Sequence, residues 1–300
     1  MNIESQALAA EVEALIAEIL QSPKYREMQV CEETLRDLLY AELPRHKRKS
    51  EAVKAAKKKL HNVVAPYLGD PDYGAAREQL DAAFASGDPL ACLPQAGQAV
   101  AVRDACARIM MQHASTRERL PILGEFYRRI FDVTGEPRVL LDIACGLNPF
   151  SFPWMGLPVS LRYHAYDIRR ERIALINEYF ALQGLAPLAK VQDVLVELPH
   201  EEGDIALLLK EVHRLEQRDR GSSLRLLDAL RVRHVVVSLP NVSLGGQRDL
   251  ATGYRRLFEN IAGQRPWHVT EVSLAHEMVF CVDKSPLSSE SSVGTVHSDG

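Results

Sequence analysis

Two acids flanking a tight turn are the residues of this chain whose types and spacing best suit chemistry. Residues 138–150 read Arg-Val-Leu-Leu-Asp-Ile-Ala-Cys-Gly-Leu-Asn-Pro-Phe. A short apolar run from Val139 ends in Asp142 and then in a turn at Cys145-Gly146. This is the pattern of a buried parallel strand breaking into a ligand-binding turn. A second strand-end acid, Asp167, closes the next strand-like run, Leu-Arg-Tyr-His-Ala-Tyr, 21 residues after Gly146. An acid so placed hydrogen-bonds a ribose in a doubly wound sheet. Gly-x-Gly-x-x-Gly and Gly-x-x-x-x-Gly-Lys-Ser/Thr are both absent, which argues against a dinucleotide or a nucleoside triphosphate. A nucleoside cofactor without a polyphosphate fits better, and S-adenosylmethionine is the common one. An ordinary strand and turn in an α/β core would look the same from these residues alone.

Three further groups bear on that chemistry. Asp193 ends a third strand-like run and is followed by Val194; Leu209-Lys210 and Pro240 end the fourth and fifth. Ligands of open α/β sheets lie beyond such carboxyl ends, and Asp193 is placed to bond an adenine amine or, more simply, to cap a turn. Upstream, Ser115-Thr116-Arg117-Glu118 has the spacing of a capping box opening a helix over 120–131. Arg117 or Arg119 there suits the carboxylate of a methionine moiety. Residues 41–60 hold eight Lys/Arg against two acids. They include Arg45, Lys47, Arg48, Lys49, Lys54 and Lys58, in a chain of net charge -4. Such a run is a solvated helix face or a phosphate-tracking surface.

The elements that must position these groups fall into two parts. The first third is helical: apolar stripes at 8–20, 35–43, 50–64, 73–85 and 96–112 are separated by Pro23, Pro44, Pro66 and Gly87-Asp88-Pro89. From Val139 strands alternate with helices: 138–143, 161–167, 189–192, 204–209 and 233–239, with helices over 169–182, 219–230 and 249–262. Two last strands, 268–274 and 276–283, lie close enough for an antiparallel hairpin. The expected fold class is α/β. It is a Rossmann-like S-adenosylmethionine-dependent methyltransferase sheet with a closing hairpin, preceded by an all-helical N-terminal domain. The expected division is a helical domain over 1–112, a methyltransferase domain over 113–284 and a disordered tail over 285–300. Five scattered cysteines without zinc spacing predict no metal and a reduced, cytoplasmic protein. No run reaches membrane-spanning length.

Several motifs together carry a resemblance. His113-Ala-Ser-Thr-Arg-Glu-Arg-Leu120, Asp142-Ile-Ala-Cys-Gly-Leu-Asn-Pro149, Pro153-Trp-Met-Gly-Leu-Pro158, Asp204-Ile-Ala-Leu-Leu-Leu-Lys210 and Arg220-Gly-Ser222 resemble the aminoglycoside-resistance 16S rRNA (guanine-N7) methyltransferases. The early Ser22-Pro-Lys-Tyr-Arg26 and Arg45-His-Lys47 segments match the helical domain of that family. The resemblance spans about residues 20–283. It implies methyl transfer from S-adenosylmethionine to N7 of guanine 1405 in the 30S subunit, and hence aminoglycoside resistance. By the same resemblance Ser115, Thr116, Arg117 and Arg119 lie near the cofactor carboxylate, and Asp142 and Gly146 at the methionine end. Asp167 lies at the ribose, Asp193 and Val194 at adenine, and Leu209 and Gln217 complete the pocket. Lys210 and Glu277 fall near the target base, and Arg248 joins the rRNA contacts. Val242 stands where the family pattern has a lysine. A monomer with no membrane or metal partner is expected, with the helical domain lying outside the cofactor pocket. A small-molecule methyltransferase and a non-catalytic S-adenosylmethionine-binding homologue are the competing readings.

Overall fold

The computed structural model describes residues 3–64, 70–85, 96–241, 250–274 and 277–285. Chain order begins with helices α1 (Ile3–Gln21), α2 (Pro23–Arg26), α3 (Glu32–Glu42) and α4 (Lys49–Val64). Next come α5 (Tyr73–Ala85), α6 (Ala96–Met111), α7 (Ala114–Arg119) and α8 (Leu123–Thr134). The sheet begins with β1 (Val139–Ile143), α9 (Phe152–Met155), β2 (Arg162–Asp167), α10 (Arg170–Gln183), β3 (Ala189–Val191) and β4 (Glu202–Leu209). It continues with α11 (Val212–Arg218), α12 (Ser222–Ala229), β5 (Arg231–Pro240), α13 (Ala251–Ala262), β6 (His268–Leu274) and β7 (Glu277–Asp283). The helix expected over 219–230 is α12, which starts only at Ser222 because Asp219 is extended and Gly221 adopts a left-handed φ of 80°; the short α11 before it is not among the expected helices.

The seven described strands form one sheet in the order β3-β2-β1-β4-β5-β7-β6. β1 to β5 pair in parallel, and β7 joins β5 and β6 antiparallel. The order reverses between β1 and β4, so the crevice beyond the carboxyl ends of those strands is where a ligand fits. β4 shows how the sequence makes a two-sided sheet. Ile205, Leu207 and Leu209 face one apolar cluster while Ala206 and Leu208 face another. This period-two alternation of apolar residues, with helices covering both faces, yields a continuous apolar run in the sequence.

Among the described residues three clusters make the core. Residues of α5, α6, α8, α9 and α10 cover one sheet face, and residues of α11, α12 and α13 the other. A separate cluster joins Val12, Ile16 and Ile19 of α1 to Leu35, Leu38 and Leu39 of α3 and Ala56, Leu60 and Val64 of α4. Their i, i+3 and i+4 spacing is the stripe read in the sequence. Helices over 73–111 therefore pack with the sheet rather than with the three helices before them. The residues that follow 285 lie outside the described residues, as do Val242 and Arg248. Among the described residues no helix is long and apolar enough to cross a membrane.

Candidate functional site

A cavity opens at the carboxyl ends of β1 to β4. The turn after β1 supplies Ala144, Cys145 and Gly146; the end of β2 supplies Asp167, Ile168 and Arg169; the end of β3 supplies Gln192, Asp193 and Val194. Leu209 closes β4, and Ser115, Thr116 and Arg119 of α7 form another wall. Nine of the eleven residues expected at the cofactor are brought together here. Arg117 and Asp142 are not among the lining residues. Arg117 is exposed on the outer side of α7. Asp142 is buried, and its Oδ2 accepts from Tyr163 Oη at 2.8 Å and Asn148 Nδ2 at 2.9 Å. It braces the turn from within.

The backbone at this turn is conformationally demanding. Ala144 and Gly146 have φ of 51° and 55°, and Lys210, just after β4, has 59°. Left-handed φ at a non-glycine residue costs free energy and persists where surrounding contacts hold it. At Gly146 an added Cβ would lie 3.4 Å from Cε1 of the His113 ring, an ordinary contact, so it is the left-handed φ that favours glycine. That conformation presents the Gly146 N–H to Asp167.

The strand-end acids are held by protein donors, each with acceptor capacity left over. Asp167 Oδ2 accepts from Gly146 N at 3.0 Å and Arg172 Nη1 at 2.8 Å, and Oδ1 from Arg169 N at 2.8 Å. A carboxylate has about four acceptor positions, so one on Oδ1 remains. Asp193 repeats the arrangement. Thr34 Oγ1 and Arg218 Nη1 each donate to Oδ2 at 2.7 Å, and Leu195 N donates to Oδ1 at 3.1 Å. Asp193 thus caps its turn and still offers one acceptor position. Arg119 is its cationic counterpart, 1% exposed. Nε and Nη2 donate to the two Glu277 carboxylate oxygens at 3.1 and 2.6 Å, and Nη1 donates to Asn148 Oδ1 at 3.1 Å. Two of the five N–H groups of its guanidinium remain for another acceptor.

Electrostatics set the protonation states. Burial lowers His113 to about 3, helped by the charges of Arg172, Arg119, Lys210 and Arg117, so its ring is neutral near pH 7. Burial pushes the Cys145 thiol well up, and the Asp142 and Asp167 charges push it further; it is not a thiolate nucleophile. Burial raises the Glu277 carboxyl, but the Arg119 and Lys210 charges outweigh it and hold the group below the usual range. Lys210 Nζ lies 2.7 Å from Glu118 and 3.7 Å from Glu277. The two residues expected near the target base are therefore together, in a buried ion-pair cluster with Arg119, but neither lines the cavity itself. Glu118 is drawn to Lys210 and so closes no capping box. The N-cap of α7 is His113, and Thr116 Oγ1 donates to the Met110 and His113 carbonyls. No group of three or more His, Cys, Asp or Glu among the described residues could hold a metal ion.

The helical domain does not lie outside the pocket. Lys59, Asn62, Val63 and Val64 of α4 line it, as do Arg214, Leu215, Gln217 and Arg218 of α11. Arg214 Nη2 donates to the Asn62 and Val63 carbonyls at 3.0 Å each, taking up acceptors that a helix end leaves open. Sequence reasoning missed this wall because no local pattern joins residues about 150 positions apart. Arg172 had a local signal: it follows the expected ribose acid by five residues, on the first turn of the next helix.

The basic run is divided. Buried Glu42 holds Arg45 at 3.2 Å, His46 at 3.1 Å and Lys59 at 2.6 Å, and Lys49 pairs with Glu11 at 2.6 Å. Lys47, Arg48, Lys54 and Lys58 are exposed. Lys54 and Lys58 share a shallow groove with Lys24, Lys57, His61 and Tyr25, whose ring lies 5.1 Å from Lys57 Nζ. Exposed cations beside an aromatic suit a nucleic-acid backbone.

Comparison with known proteins follows the same lines. Residues 21–282 match the profile of a family described as ribosomal RNA methyltransferase (FmrO). A protein of Micromonospora echinospora named 16S rRNA (guanine(1405)-N(7))-methyltransferase is 36% identical over 237 residues, 78% of this chain and 83% of that protein. One of the same name from Serratia marcescens is 33% identical over 245 residues, 81% of this chain and 87% of that one. Among solved structures, the 16S rRNA methyltransferase RmtF in complex with S-adenosyl-L-homocysteine aligns with a TM-score of 0.73 and 31% identity, over 91% of this chain and 97% of that one. The 16S rRNA methylase RmtB aligns with a TM-score of 0.73 and 28% identity, over 91% and 98%.

Proposed function

The chain belongs to the ribosomal RNA methyltransferase (FmrO) family, and from that membership we propose that it transfers a methyl group from S-adenosylmethionine to N7 of a guanine in 16S rRNA, position 1405, in the assembled 30S subunit. The observation that carries this reading is the pair of strand-end acids. Asp167 and Asp193 stand in one cavity at the switch point, each with one acceptor position left for a ligand donor. A ribose hydroxyl and an adenine amine supply such donors.

The residues then divide as follows. Asp167 takes a ribose hydroxyl, Asp193 the adenine amine, and Val194 and Leu209 pack the base. Gly146 leaves room for the methionine moiety, and the two remaining N–H groups of Arg119 face its carboxylate. Bound S-adenosylmethionine supplies an electrophilic sulfonium methyl. Guanine N7 carries a lone pair and no proton, so attack needs no general base, and positioning of the base in line with the methyl supplies the rate. A neutral His113 and a protonated Cys145 are compatible with such a site. Lys210 and Glu277 are assigned to the approach of the base through their cluster with Arg119.

The division of labour follows the packing. The unit over 3–64 presents Lys47, Arg48, Lys54 and Lys58 to rRNA phosphates, and the unit from Asp70 onward supplies Asp167 and Asp193 to the cofactor, with the end of α4 adding one wall. Arg45 and Lys49 add charge to that face while tied to Glu42 and Glu11. Incubation of the purified protein with 30S subunits and labelled S-adenosylmethionine tests the reading. The label should map to guanine 1405 by primer extension after borohydride and aniline cleavage. Cofactor binding without label transfer to 16S rRNA would overturn it.

A further inference from the structure

A strap from the helical domain crosses the carboxyl ends of β2 and β3. It begins at Met28, whose carbonyl accepts from Arg169 Nη1 at 2.9 Å. Gln29 is left-handed at a φ of 51°, and its carbonyl accepts from Arg170 N at 2.8 Å, at the start of α10. Val30 bridges Arg169, and Cys31 N donates to the Ile168 carbonyl at 2.8 Å. These contacts fall within three residues of Asp167. Thr34, in the first turn of α3, then reaches Asp193.

The hydrogen-bond bookkeeping at Thr34 is closed. Its hydroxyl has one proton, which goes to Asp193 Oδ2 at 2.7 Å. The Cys31 thiol, 3.1 Å away, is therefore the donor to Thr34 Oγ1, and burial keeps that thiol protonated. Thr34 is fully buried. The other donor to Asp193 Oδ2, Arg218, also donates to Asp37 of α3 at 2.8 Å. Two of the three groups that orient the Asp193 carboxylate thus come from, or are anchored on, α3. A buried charge-assisted bond of this kind constrains direction as well as adding affinity.

We infer that Thr34 is a positioning residue for cofactor recognition: its hydroxyl, with Arg218 tied to Asp37, sets the Asp193 carboxylate so that its free Oδ1 position meets the exocyclic amine of adenine. The helical domain is then part of the specificity of the cofactor site as well as a docking surface. This rests on the assignment of Asp193 to adenine made above.

The test compares two ligands on each variant. S-Adenosylhomocysteine carries the amine; S-inosylhomocysteine replaces it with a carbonyl that repels the carboxylate. Affinities are measured by calorimetry on the full chain. Wild type should prefer the adenosyl ligand by about tenfold or more, the equivalent of one hydrogen bond to a charged group. Thr34→Val keeps the shape and removes the hydroxyl; it should cut that preference at least about threefold, and Thr34→Ser should restore it. The ratio of two affinities on one preparation is independent of the folded fraction, so a merely structural loss leaves it unchanged. An unaltered preference in Thr34→Val overturns the role of Thr34 while leaving Asp193 at adenine. No preference in the wild type overturns the Asp193 assignment and this inference together.

Discussion

Asp142 and His113 show how one local environment turns similar burial into opposite pH effects. Burial lifts Asp142 to about 7, against the pull of the Asn148 and Tyr163 hydrogen bonds and of Arg119. An exposed aspartate titrates near 4. Between about pH 4 and 7 the unfolded chain has released this proton and the folded protein keeps it, so the stability it contributes falls as pH rises through that window. Asp142→Asn has no such titration. The melting temperature of the wild type should therefore fall relative to that of the variant between pH 5 and 8; a constant difference would show that the carboxyl ionises normally. His113, lowered to about 3, acts the other way: its contribution is present above its ordinary value and is lost as pH falls toward 3. At Asp167 the expectation concerns the ligand. Asp167→Ala should weaken S-adenosylhomocysteine binding about tenfold or more in calorimetry, since a bond to a charged group contributes roughly 1.5–3 kcal/mol. It should also lower the melting temperature, because Gly146 N–H loses its acceptor and buried Arg172 loses one of its two carboxylate partners among the described residues. Unchanged affinity would remove Asp167 from the ribose.

Helix α4 serves two sites with one sequence. Ala52, Ala56, Leu60 and Val64 are its buried stripe. Lys54 and Lys58, also four residues apart, are exposed and belong to the basic groove. Its last turn walls the cofactor cavity. The ion pairs decide which cations are available to a partner. Replacing Lys47, Arg48 and Lys58 by Gln should lower 30S affinity and reduce the salt slope by about two to three units, one for each lost phosphate contact. These side chains do not line the cavity, so affinity for S-adenosylhomocysteine in the absence of rRNA should be unchanged. Equal 30S affinity and slope would return them to a solvated face. Replacing Lys59 instead removes a partner of buried Glu42, and should lower stability more than it changes the salt slope.

At the scale of the molecule, two units share one cavity, and their combined action is read in a cell. N7 methylation places a methyl and a positive charge in a drug's hydrogen-bonded site, and an unmet buried donor or acceptor is costly. Expression in a susceptible bacterium should raise resistance to the 4,6-disubstituted deoxystreptamines gentamicin and kanamycin and leave apramycin active, as the family pattern implies. Resistance to apramycin with sensitivity to gentamicin would place the methyl on a neighbouring nucleotide. Sensitivity to all three, with 30S methylation intact, would place it outside the drug site.

The sequence by itself determined what short-range periodicity encodes. The stripe Val12, Ile16, Ile19, the alternation through 205–209, and the acids closing strand-like runs at Asp167 and Asp193 gave the helices, the strands and two cavity-lining residues, because side-chain direction repeats with the backbone. The resemblance added further expected residues, so that nine of eleven cofactor candidates line the cavity, while the wall from α4 went unnamed. Only the tertiary structure decided where the remaining contacts go. Asp142 has the same sequence signature as Asp167, but Tyr163 and Asn148 turn it inward. Glu118 has capping-box spacing, but Lys210, 92 residues away, holds it elsewhere. Helices α5 and α6 look like continuations of the first unit, yet their apolar faces match the sheet. The Thr34–Asp193 bond spans 159 residues. Contacts of that separation leave no periodic trace, because they are set by how packed faces fit together rather than by the backbone repeat.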